Sequence, residues 1–242
     1  MKGIYDFKVQ PQDVDFQKQL TFSALGTYLL TTAGLNAESN GFGLRKLQSI
    51  NSSWVLSKLA VEIKEKLTEF QSFRMETWVE EVGRLTTTRN FNILNSGNEV
   101  IGSACSNWVM FDMKTRRAID LLELKGLKEV ATADAGLIDK PIRLGSVGGK
   151  SVADFSVKYS DIDINGHVYS MRYVQWLNDL FPLDFYRTKS IKRLEINYVN
   201  ETLWGNQIQI FQEEKQQDDF YFEIKSAEKT VCKARMVWKT SV

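Results

Sequence analysis

Apolar positions along the first half of the chain recur first at helical spacing and then at the two-residue alternation of strands. Residues 16–35, "FQKQLTFSALGTYLLTTAGL", place Leu20, Leu25, Tyr28, Leu29 and Leu30 on a helical repeat. Gly34 suits the C-terminal end of such a helix. In "NSSWVLSKLAVEIKE", Trp54, Leu56, Lys58 and Ala60 share one parity, and Val55, Leu59 and Val61 share the other. Apolar residues on both parities predict a strand buried on both faces. "SFRMETWVEEVGR", "TTTRNFNILN" and "EVIGSACSNWVMFD" follow, rich in the β-branched and aromatic residues of strands, with "NSGNE" as a turn between the last two.

The second half runs in the same order. "DFSVKYSDIDINGHV" leads into "YSMRYVQWLNDLF", a helix expected over 168–181, and four strand-like stretches follow, ending in "TVCKARMVWK". The closing strands align by letter, "SACSNWVMF" beside "TVCKARMVW", which sets Cys105 opposite Cys232. The pattern predicts a duplicated unit: one strand, a long helix, then four antiparallel strands. Hairpins joined by short turns must curl over an apolar element to hide one face. An α+β architecture is therefore expected, with two antiparallel sheets each wrapped round a long central helix. Copy one spans residues 1–133, a Gly-, Pro- and charge-bearing linker 134–147, and copy two 148–242.

Composition narrows the function. Lys and Arg total 31 and Asp and Glu 30, so bulk charge supplies no attraction to nucleic acid or a membrane surface. No apolar run of about 18 residues exists to span a bilayer. The N-terminal stretch lacks the apolar core of a secretory signal, so a cytoplasmic protein is expected. Two distant cysteines do not make a disulfide framework, and one histidine cannot furnish a Cys/His zinc cage, so no metal is expected. "GSVGGKS" at 145–151 fails as a phosphate loop, because Leu144 stands where the first Gly is required.

The chemistry concentrates in "DIDINGHVYSMRYVQW". Asp163, Asn165 and His167, the only histidine, precede an apolar helix, whereas the matching stretch of copy one, "QPQDVDFQKQL", has no histidine. Helix capping explains one of the three side chains. It does not explain all three, so this is the candidate site.

"SDIDINGHVYSMRYVQW" resembles the D-x-N-x-H-V-N-N-x-x-Y-x-x-W signature of plant and bacterial acyl-acyl-carrier-protein (acyl-ACP) thioesterases. The resemblance extends along nearly the whole chain. "TAGLNAESNGFG" is similar to that family's helix end and Gly-Phe-Gly loop, "WVLSKLAVEI" to its Trp-Val strand, and "SNWVMFDMKTRRAIDL" to its Trp-Val-Met strand and basic turn. "LEINYVNET" resembles its Leu-Glu strand ending in Glu-Cys. The resemblance implies a tandem (double) hotdog fold and hydrolysis of fatty acyl-ACP to free fatty acid and holo-ACP, without a cofactor. The implied partner is acyl carrier protein bearing a phosphopantetheine-linked acyl chain, and a homodimer is left open. It further implies catalytic positions at Asp163, Asn165, His167 and Glu201. The acyl tunnel is implied in the first repeat, around the 20–33 helix and the strand from Trp54, with Leu25, Leu29 and Trp54 as lining candidates. Two positions depart from the pattern: Thr202 replaces the Cys after the Glu, and Tyr169–Ser170 replaces the Asn pair.

Thr202 argues against a cysteine nucleophile and for an activated water, with Glu201 or Asp163 as general base and helix-start amides holding the oxyanion. Glu195 is a rival carboxylate, but it shares a strand with Leu194, Ile196 and Tyr198, which face the other side. Two alternatives remain open: an acyl-CoA thioesterase of the hotdog class, and a non-catalytic acyl-binding protein.

Overall fold

A computed structural model describes residues 2–240. The chain divides into two compact units, 1–141 and 142–242.

Unit 1 contains β1 (Gly3–Lys8), α1 (Phe22–Ser39), α2 (Leu44–Ser49), β2 (Ser52–Ile63), β3 (Ser72–Val82), β4 (Thr87–Leu94), β5 (Val100–Asp112) and the short β6 (Arg117–Ala118). Its antiparallel strands run in the order β1-β3-β4-β5-β2, with β6 added to β5. Thr21 caps α1, its hydroxyl accepting from Ala24 N at 3.2 Å. The helix passes through Gly34 and ends where Gly41 takes φ +78°. That left-handed position, not Gly34, is the stop signal. Gly34 is exposed within the helix, where it is a weak helix former rather than a terminator.

The buried residues of α1 include Leu25, Leu29, Thr32, Ala33 and Asn36, and the helix contacts β1, β3 and β4. Tyr28 meets Phe7 and Phe73 edge-on, Thr32 reaches Met75, and Arg89 Nη1 donates to Asn36 Oδ1 at 2.7 Å. A closed side chain such as Leu29, 1 % exposed, contributes about 2 kcal/mol. β2 is buried on both faces only at its centre, Leu59 to Val61, while Val55 is exposed.

Unit 2 contains β7 (Ser151–Ser156), α3 (Ser170–Asn178), α4 (Leu183–Thr188), β8 (Lys189–Tyr198), β9 (Gln207–Gln216), β10 (Asp219–Ser226) and β11 (Lys229–Thr240). The antiparallel order is β8-β11-β10-β9-β7. The element order repeats that of unit 1, but the long helix expected over 168–181 is broken. Only 170–178 is α-helical, and α4 begins after Pro182, which has no amide hydrogen to continue the ladder. Phe181, in the break, packs against Phe220 and Trp238. That half-buried ring is held by these aromatic neighbours across the break.

The ladders also correct the letter match of the cysteines. Lys64 N and Glu65 N donate to Ile101 O, and Val199 N and Asn200 N donate to Val231 O. Ile101 thus corresponds to Val231, and Gly102 to Cys232. Cys105 pairs with Ala60 as Arg235 pairs with Glu195. A Cβ on Gly102 would lie 2.9 Å from Glu62 O, which explains the glycine.

The stretch between the copies is strapped down rather than loose. In unit 1, Trp78 Nε1 donates to Asp134 O at 2.7 Å and Lys140 pairs with Glu80 at 2.6 Å. In unit 2, Ile142 N, Leu144 N and Val147 N donate to Glu195, Asn197 and Glu223 side chains at 3.2, 2.9 and 2.9 Å.

Candidate active site

The turn after β7 is built by two aspartates. Asp161 Oδ2 accepts from Lys158 N at 2.7 Å and its carbonyl from Tyr169 N at 2.8 Å, closing a loop around the residues between. Inside that loop Asp163 Oδ1 accepts from Asn165 N at 2.8 Å and from His167 N at 3.2 Å. Asp163 N donates to His167 O at 2.8 Å, and Gly166 N to Asp163 O at 3.1 Å. Gly166 holds φ +80°, where a glycine costs least. An aspartate accepting from amides two and four residues on is the turn-forming habit of that side chain.

Glu201 arrives from the end of β8. Val168 N donates to Thr202 O at 2.9 Å, and His167 bridges to Leu203. These main-chain contacts bring Glu201 Oε2 to 3.3 Å from His167 Nε2, with the side chains 24 % (His) and 46 % (Glu) exposed. The imidazole therefore faces Glu201, distant in sequence, while nearby Asp163 meets His167 through its backbone amide. Asn165 is exposed, and its Nδ2 stands 3.5 Å from Asp163 Oδ2.

Sequence models of the acyl-ACP thioesterase N-terminal and C-terminal domains match residues 4–124 and 146–240. The chain belongs to the acyl-ACP thioesterase family. An acyl-ACP thioesterase structure from Bacteroides thetaiotaomicron is 38 % identical, superposes with a TM-score of 0.92, and covers 98 % of each chain. The 12:0-ACP thioesterase of Umbellularia californica, 17 % identical, superposes at 0.87 over 99 % of this chain and 98 % of its own, and shares the fold. The chloroplastic oleoyl-acyl carrier protein thioesterase of Coriandrum sativum is 25 % identical over 227 residues, 81 % of this chain and 58 % of that protein. The chain spans little more than half the length of the curated relatives it matches. The fold is hotdog-like and α+β, with antiparallel strands and few helices.

In this family member the position after Glu201 is the buried Thr202, 1 % exposed. Tyr173 donates to its Oγ1 at 2.8 Å. Cys232 lies buried within β11, where burial pushes its thiol well above the usual range and disfavours a thiolate. Glu195 is 2 % exposed and held by Arg193 at 2.9 Å and Arg235 at 3.6 Å, besides the strap amide. It is a structural ion-pair residue on the sheet.

Tyr173 falls on the tyrosine of the signature but was given no role from sequence, although its contrast with Leu25 at the matching helix position was legible. Leu25 and Leu29 are closed core positions of α1. Trp54 packs elsewhere in unit 1, against the cluster of Leu47, Val79, Met110 and Leu121, with its indole N–H on Phe42 O at 3.1 Å. An open cavity of ≈ 570 Å³ lies beside the site turn, lined by Asp163 with Tyr159, Ile162, Ile164 and Trp204. Among the described residues no group of three or more His, Cys, Asp or Glu is placed to hold a metal ion, and no helix is long and apolar enough to cross a membrane.

Proposed function

We propose that the protein hydrolyses fatty acyl-ACP to free fatty acid and holo-ACP, in a tandem hotdog whose second copy carries the chemistry. The His167–Glu201 pair, 3.3 Å apart and partly open to solvent in a member of this family, carries the reading. Glu201 takes the proton of a water attacking the thioester carbonyl carbon, while the His167 Nε2–H orients the carboxylate. Amides of the first turn of α3 receive the developing oxyanion at the positive end of the helix dipole. Collapse breaks the C–S bond, and the proton taken from water passes to the departing phosphopantetheine thiolate. Asn165 orients the thioester through its amide, and Asp163 shapes the turn that presents both. The acyl chain is placed in the first copy against α1 and the strand from Trp54, with Leu25 and Leu29 as lining residues that part to admit it. Two buried cysteines outside any disulfide suit a reducing cytoplasm.

The test is thiol release from one acyl group carried by ACP or by CoA. Release from ACP at least about tenfold more efficient in kcat/KM, and lowered at least about 100-fold by His167→Ala, is the expected result. Preference for CoA would move the protein to the acyl-CoA class, and no release from either carrier would leave only acyl binding.

A further inference from the structure

Directly behind the candidate pair lies a buried polar contact that a core does not need. Tyr173 on α3 donates to Thr202 Oγ1 at 2.8 Å, and the two residues are 3 % and 1 % exposed. Each is tied to the site. Thr202 follows Glu201, and its carbonyl accepts from Val168, the residue after His167. The Tyr173 ring packs edge-on against Trp176 and Tyr198, and the Tyr198 hydroxyl donates to Ser170 O at the start of α3.

Unit 1 shows what the same position looks like without chemistry. There Leu20 N donates to Leu67 O at 2.8 Å, as Val168 N does to Thr202 O at 2.9 Å. Leu67 thus stands where Thr202 does, and Leu25, four residues into the helix from Thr21, where Tyr173 stands four from Tyr169. Both leucines are 4 % exposed. An apolar pair satisfies burial in any of several packings. A buried hydroxyl pair is tolerated only when bonded, and the bond prescribes distance and direction.

We propose that Tyr173 and Thr202 are positioning residues, whose hydrogen bond holds the segment 201–203 against α3 so that the Glu201 carboxylate stands at His167 Nε2. The proposal rests on the reading of His167 and Glu201 as the catalytic pair. Burial pushes the Tyr173 phenol well above its usual range, so the donor stays protonated throughout the working pH.

His167 is the sole histidine, so one imidazole resonance reports the geometry independently of turnover. The titration midpoint of that resonance is measured in wild type, Glu201→Gln, Thr202→Val, Tyr173→Phe and Thr202→Ser, with kcat and KM on acyl-ACP. Thr202→Val and Tyr173→Phe should each lower kcat by about tenfold with KM within about twofold. Each should move the midpoint at least half as far as Glu201→Gln does, and in the same direction, while Thr202→Ser keeps both near wild type. Folded variants with an unmoved midpoint would overturn the proposal, whether or not kcat falls. If Thr202→Val does not fold, Tyr173→Phe deletes the same bond with the ring retained, and its midpoint decides the matter in the same way. Full kcat in Glu201→Gln would instead remove the catalytic reading and leave the midpoint comparison to judge the positioning alone.

Discussion

The entrances to α1 and α3 are one backbone carrying two sets of side chains. Asp15 Oδ1 accepts from Gln17 N at 2.8 Å and Gln19 N at 3.0 Å, as Asp163 does from Asn165 and His167. Asp15 N donates to Gln19 O at 2.9 Å, as Asp163 N does to His167 O at 2.8 Å. Lys18 and Gly166 both hold positive φ, 60° and 80°. Tyr28 on Phe7 and Trp176 on Phe155 even share an edge-on packing, with ring centroids 5.1 and 5.0 Å apart. Where unit 2 sets Glu201 against His167, unit 1 sets Lys66 against Gln19. A turn of this shape is thus a way of starting the central helix, and not in itself a catalytic device. A lysine on a carboxamide offers no general base, whereas a carboxylate on an imidazole does.

The strongest way to break the comparison is to give unit 2 the side chains of unit 1. His167→Gln with Glu201→Lys should abolish measurable turnover, a loss of at least about 100-fold, because each change alone removes an acid–base group. The same double variant should melt within a few degrees of wild type, since unit 1 proves the backbone compatible with that pair. A large fall in melting temperature would mean that the two entrances are not interchangeable.

The aspartates sharpen it. Asp15→Ala and Asp163→Ala each remove two amide contacts from a turn, at about 1–2 kcal/mol in urea unfolding. Equal stability losses are expected, with turnover lowered only by Asp163→Ala, on the order of tenfold through the misplaced His167. Equal turnover losses would assign Asp15 a part in the reaction.

The smallest effects on turnover belong to the sheet residues away from the turn. Glu195→Ala should leave turnover of the folded protein near wild type while destabilising by about 3 kcal/mol, because Arg193 and Arg235 lose a buried partner. Cys105→Ala and Cys232→Ala together should likewise keep most activity, at about 1 kcal/mol or more of packing loss. Abolished turnover in the folded cysteine variant would return the mechanism to a thiol.

The order of the long strands and central helices was legible, because alternation and helical spacing record which faces meet a core, whereas the short α2, α4 and β6 were not. The Asn95 turn of "NSGNE" was legible too, its Oδ1 accepting from Gly97 N and Glu99 N at 2.9 and 3.0 Å. Element ends were less so. Gly34 reads as a stop only if the chain beyond it has no reason to continue, and the buried Asn36, bonded to Arg89, supplies that reason. The break in the second helix depends on where Phe181 finds its aromatic neighbours, a long-range matter. Matching letters set Cys105 beside Cys232 because letter alignment counts residues. Ladders match hydrogen-bond partners, and under that match the bulges at Leu56/Lys58 and Val237/Trp238 fall at equivalent places, three residues away from the letter alignment.

What the sequence alone determined, then, is local: the duplicated order of elements, the Asp-centred turn, the single histidine and its absence from the other copy. These follow from side-chain periodicity and from contacts between residues a few positions apart. Tertiary structure alone decided that the imidazole faces Glu201 rather than Asp163, that Glu195 is spent in an ion pair, and that Tyr173 reaches Thr202. Each of these contacts joins different elements, and only the strand register and the packing of α3 on the sheet set the distance between them.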